Sequence, residues 1–246
     1  MKKNIVILTV IIIGSLSSIT AQHFDTPYGT RQFTNDLYQL DEYIKRQDQG
    51  INYDDTDSYR GTPYNTPSYL PGNVYNGSDL LATNVALRYN AMADEIEIKE
   101  SVTTPDDEAK VLTKSPDIFV KINNKDIFVF APYKGGIEGG GYFQILHEGD
   151  RYDLFKKHVK EFTPAKTAST SITRDTPAKF KDRPVYYIVT KDGKFYELPT
   201  SRNKKLKVFG ENQDLVKDYV SQNQLDLNEE NDLVRVIKYY NTIGKR

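Results

Sequence analysis

From Gly72 onward the chain is written in short runs of alternating apolar and polar residues, separated by turn residues. A period of two belongs to half-buried strands, and turn chemistry between such runs makes hairpins. DIFVKI and DIFVFA flank Asn123-Asn124-Lys125. GYFQIL and RYDLF flank His147-Glu148-Gly149-Asp150. PVYYIVT and KFYELP flank Lys191-Asp192-Gly193, where Asp-Gly suits the left-handed turn that matches strand twist. This pattern predicts an antiparallel, hairpin-rich sheet, either curled or a sandwich.

A fourth hairpin lies in VALRYNAMADEIEIKE, residues 85–100. Val85, Leu87 and Tyr89 alternate with Ala86, Arg88 and Asn90; Ile96 and Ile98 alternate with Glu95, Glu97 and Lys99. Folding this stretch about Ala91 to Asp94 sets Tyr89 opposite Ile96 and Leu87 opposite Ile98. Arg88 then falls opposite Glu97 on the other face, expected to be the wetter one. A cross-strand pair of opposite charges contributes roughly 0.2–1 kcal/mol.

The C-terminal part changes to helical spacing. Leu215, Val216, Tyr219 and Val220 share one side of a helix over 214–222. Asp226 and Glu229 have the form of a capping box, followed by Leu233, Val236, Ile237 and Tyr240 at helical intervals. Residues 201–209 form a shorter helix, with Leu206 and Phe209 inward. The fold class is therefore α+β: two or three C-terminal helices cover the sheet, and an extended arm precedes it.

That arm spans 22–72. It is rich in tyrosine and turn residues, with one helix expected from Asn35 to Arg46. Thr-Pro-Tyr recurs at 26–28 and 62–64, and proline holds the residue before it out of the helical region. The domain plan is a signal peptide over 1–21, the arm over 22–72, a β body over 73–200 and a helical part over 201–246. Two inserts, Lys134 to Gly141 (KGGIEGGG) and Thr163 to Lys181, are expected as surface loops. The second repeats Thr-Pro-Ala-Lys at 163–166 and 176–179.

Met1-Lys2-Lys3, the apolar run Ile5 to Ile13 and the small residues before Gln22 have the order of a secretory signal peptide. The run is shorter than the roughly 20 residues that span a bilayer, so no integral membrane segment is expected after cleavage. The destination is periplasm or outer cell surface. The chain has no cysteine, which excludes disulfides, thiolate metal sites and thiol catalysis. Its 33 Lys and Arg against 34 Asp and Glu lack the basic excess of a nucleic-acid binder.

Motifs for chemistry are weak. Glu95 and Glu97 are the candidate catalytic carboxylates, since glycoside hydrolases hold two carboxyl groups about 5–9.5 Å apart. Arg88 and Lys99 nearby explain them as a solvated charged face, which is the preferred reading. His147-Glu148-x-Asp150 lies on a turn rather than a helix, and Asp54-Asp55-Thr56-Asp57 lacks the glycine and closing glutamate of a calcium loop. KGGIEGGG leads into a strand, unlike a P-loop. No G-x-S-x-G elbow occurs. No cofactor and no metal is expected. Lys156-Lys157-His158-x-Lys160 and Arg202 to Lys207 read as solvated basic runs that could touch lipid headgroups or acidic glycans.

The segments GTPYNTPSYLPGNVY, VALRYNAMADEIEIK and NEENDLVRVIKYYN resemble a group of exported proteins from Bacteroidota that share an RYN…DEIE segment and a terminal helix ending in Tyr-Tyr-Asn. The resemblance implies export to the envelope and carries over no activity. The expected function is a non-catalytic envelope protein that binds or assembles with a protein or glycan partner. Tyr28, Tyr59, Tyr64 and Tyr69 are its candidate contacts, because tyrosine gives amphipathic area at low entropic cost. The alternative is a hydrolase acting on an envelope polymer through Glu95 and Glu97.

Overall fold

The alternating runs of the sequence become hydrogen-bonded neighbours in the computed structural model, which describes residues 59–132, 140–168 and 174–243. The strands are β1 (Tyr59–Arg60), β2 (Leu70–Asn76), β3 (Asp79–Asn90), β4 (Glu95–Lys99), β5 (Lys110–Val111), β6 (Ile118–Ile122) and β7 (Asp126–Ala131). They continue as β8 (Gly141–His147), β9 (Tyr152–Lys157), β10 (Lys160–Thr163), β11 (Ala178–Asp182), β12 (Val185–Thr190) and β13 (Phe195–Leu198). Helices α1 (Arg202–Lys207), α2 (Gln213–Gln222) and α3 (Glu230–Ile243) close the chain. Ten strands form one open antiparallel sheet in the order β13-β12-β9-β8-β7-β6-β2-β3-β4-β5, and β1, β11 and β10 form a second sheet.

Local turn chemistry sets these pairings. Asn123 and Asn124 both take positive φ, at 52° and 54°, between β6 and β7, and Gly193 takes 79° between β12 and β13. In the β3–β4 hairpin Tyr89 faces Ile96, Leu87 faces Ile98 and Arg88 faces Glu97, the register that its alternation predicts. β2 begins at Leu70 and takes in the last three residues of the stretch read as arm.

Apolar side chains collect in two large cores. One joins Val74, Leu87, Tyr89, Ile96, Ile98, Val120, Phe128 and Tyr142 within the sheet. The other packs Leu154, Ile188 and Leu198 of the sheet against Leu206, Phe209, Val216, Leu233, Val236 and Ile237 of the helices. Each such side chain fully buried contributes about 1.5–3 kcal/mol. Adjacent residues face opposite ways: Phe143 and Tyr187 belong to a separate aromatic cluster on the reverse face of β8 and β12.

Three expectations need correction. Leu215 is exposed, so the buried stripe of α2 is Val216 and Val220 alone. The helix after Asp226 begins at Glu230, and the reach-back comes from Asp232, whose Oδ2 accepts the Asp226 amide at 3.0 Å. Thr163 to Lys181 is not simply a loop. Its ends are strands β10 and β11, and the two Thr-Pro-Ala-Lys copies lie antiparallel, with Thr163 opposite Lys179 and Lys166 opposite Thr176. The KGGIEG part of the glycine insert (134–139), the helix expected from Asn35, Tyr28 and the signal segment lie outside the described residues.

Candidate functional site

The residues with most chemical potential gather on the polar side of the β3–β4 hairpin. Arg88 donates from Nε and Nη2 to Glu97 Oε2 at 3.0 and 2.7 Å, and from Nη1 to the Pro67 carbonyl at 3.0 Å. Its guanidinium lies between two aromatic rings, 3.7 Å from the Tyr64 centroid and 4.0 Å from that of Tyr69. The Tyr69 hydroxyl donates to Glu97 Oε2 at 2.8 Å, and Asn90 Nδ2 donates to Glu97 Oε1 at 3.2 Å. Both carboxylate oxygens are engaged. Lys99 lies over the other side of Tyr69 and pairs with Asp106 at 2.7 Å.

This face is not wet, contrary to expectation. Arg88 is 8% exposed, Glu97 6%, Glu95 5% and Lys99 4%. The cover is the end of the arm. Tyr64 bridges to Asn90, the Asn65 amide donates to the Tyr89 carbonyl at 2.9 Å, and the Ala91 amide donates to the Pro63 carbonyl at 3.0 Å. Tyr59 adds β1 alongside β11 and sets its ring edge-on to Phe180. Tyr59, Tyr64 and Tyr69 are thus all buried against the body of their own chain.

The electrostatics follow from that burial. Loss of solvent and the neighbouring Glu97 carboxylate push the Tyr69 phenol well above its ordinary value. Burial opposes the Arg88 charge, but Glu97, Tyr69 and Tyr64 together outweigh it and hold the guanidinium above its usual range. Such a pair gains little over an apolar replacement, yet losing one partner strands a buried charge.

A second knot joins the same hairpin to the far strands. Asp94, held at φ 56°, accepts the Tyr89 hydroxyl at 2.7 Å, the Lys157 ammonium at 2.7 Å and the Tyr142 amide at 3.1 Å, 48 residues away. Gly141 makes the approach possible, since a Cβ there would lie 2.2 Å from Lys157 Nζ and 2.4 Å from Asp94 Oδ2. Burial pushes the Lys157 ammonium down, against the pull of Asp94.

Beside this knot His158 sits among Tyr89 and Phe128. Its Nε2 lies 2.7 Å from Gln144 Oε1, and Gln144 Nε2 donates to Asp126 Oδ1 at 2.8 Å. With Gln144 so oriented, Nε2 must carry the proton. Burial, with Lys156 and Lys160 adding to it, pushes the His158 pKa down to about 3.

The run Lys156-Lys157-His158-x-Lys160 is accordingly not a solvated patch. Lys156 pairs with Glu230, Lys157 with Asp94 and Lys160 with Asp182. Spacing carries no sign of the Asp94–Lys157 and His158–Gln144–Asp126 links, because their members lie far apart along the chain.

The motif residues behind the Bacteroidota resemblance have structural partners. Asn90 Oδ1 accepts the Met92 and Ala93 amides, shaping the hairpin turn. Asn241 Oδ1 accepts the Arg151 and Tyr152 amides, each at 3.0 Å, and Tyr240 stacks on Tyr152 with centroids 4.4 Å apart. Together they tie α3 to the β8–β9 turn.

A depression of about 220 Å³ lies where β2 bulges between Gly72 and Val74, lined by Asn73, Thr83, Asn84, Asn123 and Asn124. It contains no titratable side chain and offers only neutral hydrogen bonding. Among the described residues no cluster of His, Asp and Glu is arranged to hold a metal ion, and no helix is long and apolar enough to cross a membrane. No protein-family model, curated protein or solved structure matches the chain.

Proposed function

We propose that this chain is an exported, non-catalytic component of a bacterial envelope that binds a protein or glycan partner. The observation that supports this reading is the fate of its carboxylate face. Glu97 spends both oxygens on Arg88, Tyr69 and Asn90 and is shut from solvent by the arm's own tyrosines. That arrangement organises a surface; it does not present a base or nucleophile to a substrate. Export rests on the signal-like N-terminus and on the resemblance to exported Bacteroidota proteins.

The test is affinity capture, after mild crosslinking, from the envelope fraction of the producing cell. The baits are the chain from Gln22 and a chain beginning at Ser58, which keeps the stretch that covers Arg88. The expected result is a partner of identified chemistry, competed off by excess purified chain. Recovery by the longer bait alone places the contact before Ser58, and recovery by both places it on the folded body. Hydrolysis of an envelope polymer that Glu97→Gln abolishes without unfolding would overturn the proposal.

A further inference from the structure

The geometry points to the outer face of the three-stranded sheet as a binding surface for an acidic polysaccharide. This rests on the partner-binding reading above and names the chemistry of one partner. The inner face of this sheet is apolar: Tyr59, Ala178 and Phe180 pack with Phe162 and Met92. Side chains alternate across a strand, so the residues between them face outward. Those are Lys179 and Lys181 on β11, Arg60 on β1 and Glu161 and Thr163 on β10, with Arg183 just past β11. All are exposed.

Register brings them together. Arg60 is the partner of Lys179, which is the partner of Thr163, while Lys181 is the partner of Glu161. Rows along a strand repeat every ~6.6–6.8 Å, and neighbouring strands lie about 4.8 Å apart. Four cations thus share a flat face with one carboxylate, and Glu161 is already paired to Arg183 at 2.8 Å. Four positive charges less one negative leave +3 on this face, within a chain whose formal net charge is −1. Among the described residues, Arg60, Lys179 and Lys181 have no ion-pair partner, unlike Lys156, Lys157 and Lys160.

The Thr-Pro-Ala-Lys repeat adds a hydroxyl to this face. Pairing its copies antiparallel makes a threonine–lysine rung at Thr163–Lys179, which offers an ammonium for a carboxylate beside a hydroxyl for a sugar hydroxyl. An anionic membrane would also be drawn to the charge, but stable anchoring takes an apolar face or a lipid chain beside a basic patch. Among the described residues Val159, 37% exposed, is the one exposed large hydrophobic in β10, β11 or the residues that flank them.

The test uses the chain from Gln22 with polygalacturonate, neutral dextran and phosphatidylglycerol vesicles as probes. Binding to polygalacturonate at low salt, weakening as salt rises, is expected, with none to dextran. Lys179→Glu with Lys181→Glu, which reverses two of the four cations, should weaken it at least about 10-fold. Lys204→Glu with Lys207→Glu, the same charge change on α1, should leave it within about twofold of the parent. Equal loss in both double variants, no binding by the parent, or tighter binding to the vesicles would each overturn the inference. Envelope capture unchanged in Lys179→Glu/Lys181→Glu would sink this face while leaving the partner-binding proposal standing.

Discussion

Replacing Arg88 by Met tests whether the charged face of the β3–β4 hairpin is interior or surface. The substitution keeps much of the volume but removes four hydrogen bonds, two of them to Glu97. Glu97 is left 6% exposed with only Tyr69 and Asn90 as donors. Stranding one member of a buried pair costs about 3–5 kcal/mol. At roughly 2–4 °C per kcal/mol for a domain of about 150–250 residues, the melting temperature should fall by about 6–20 °C. A surface pair would cost about 0–1 kcal/mol.

The companion variant Arg88→Met/Glu97→Leu/Tyr69→Phe removes the stranded charge and its phenol donor together. It should recover most of the loss, because an apolar replacement of a buried pair is often neutral. Urea unfolding of the parent and both variants reads the difference. A loss under about 1 kcal/mol in the single variant would refute the burial argument. Equal losses in the single and triple variants would assign the effect to packing rather than to charge.

Three further outcomes are expected. His158 titrates near 6.5 when unfolded and at about 3 when folded, so its contribution is complete above pH 6.5. It is lost as pH falls from there toward 3, at up to about 1.4 kcal/mol per pH unit, and His158→Gln should flatten that part of the urea-midpoint profile. Asn241→Leu leaves the Arg151 and Tyr152 amides without their acceptor. It should cost about 2–6 kcal/mol at 1–3 kcal/mol per unpaired group, with hydrogen exchange rising first at the β8–β9 turn. Gly141→Ala drives a methyl between Lys157 and Asp94 and should cost about 1–3 kcal/mol by overpacking, measured by the same unfolding assay.

The architecture was largely legible because its signals are local. Alternation and the Asn-Asn and Asp-Gly turns fix each hairpin within a dozen residues, so the pairing of Arg88 with Glu97 follows from spacing alone. Helical spacing likewise marks Leu233, Val236, Ile237 and Tyr240 as an inward stripe. Spacing could not tell Val216 from its neighbour Leu215, since facing depends on what packs opposite.

The sequence by itself therefore determined the β3–β4, β6–β7, β8–β9 and β12–β13 hairpins, the C-terminal helices and the register of β3 on β4. Only the tertiary structure decided that neither face of the β3–β4 hairpin meets water. A period of two says that two faces differ, but burial depends on what arrives from elsewhere in the chain. Here Tyr64 and Tyr69 come to rest on Arg88, and Asp94 reaches across 48 residues to Tyr142. These long-range contacts convert an ordinary row of surface charges into a sealed polar core.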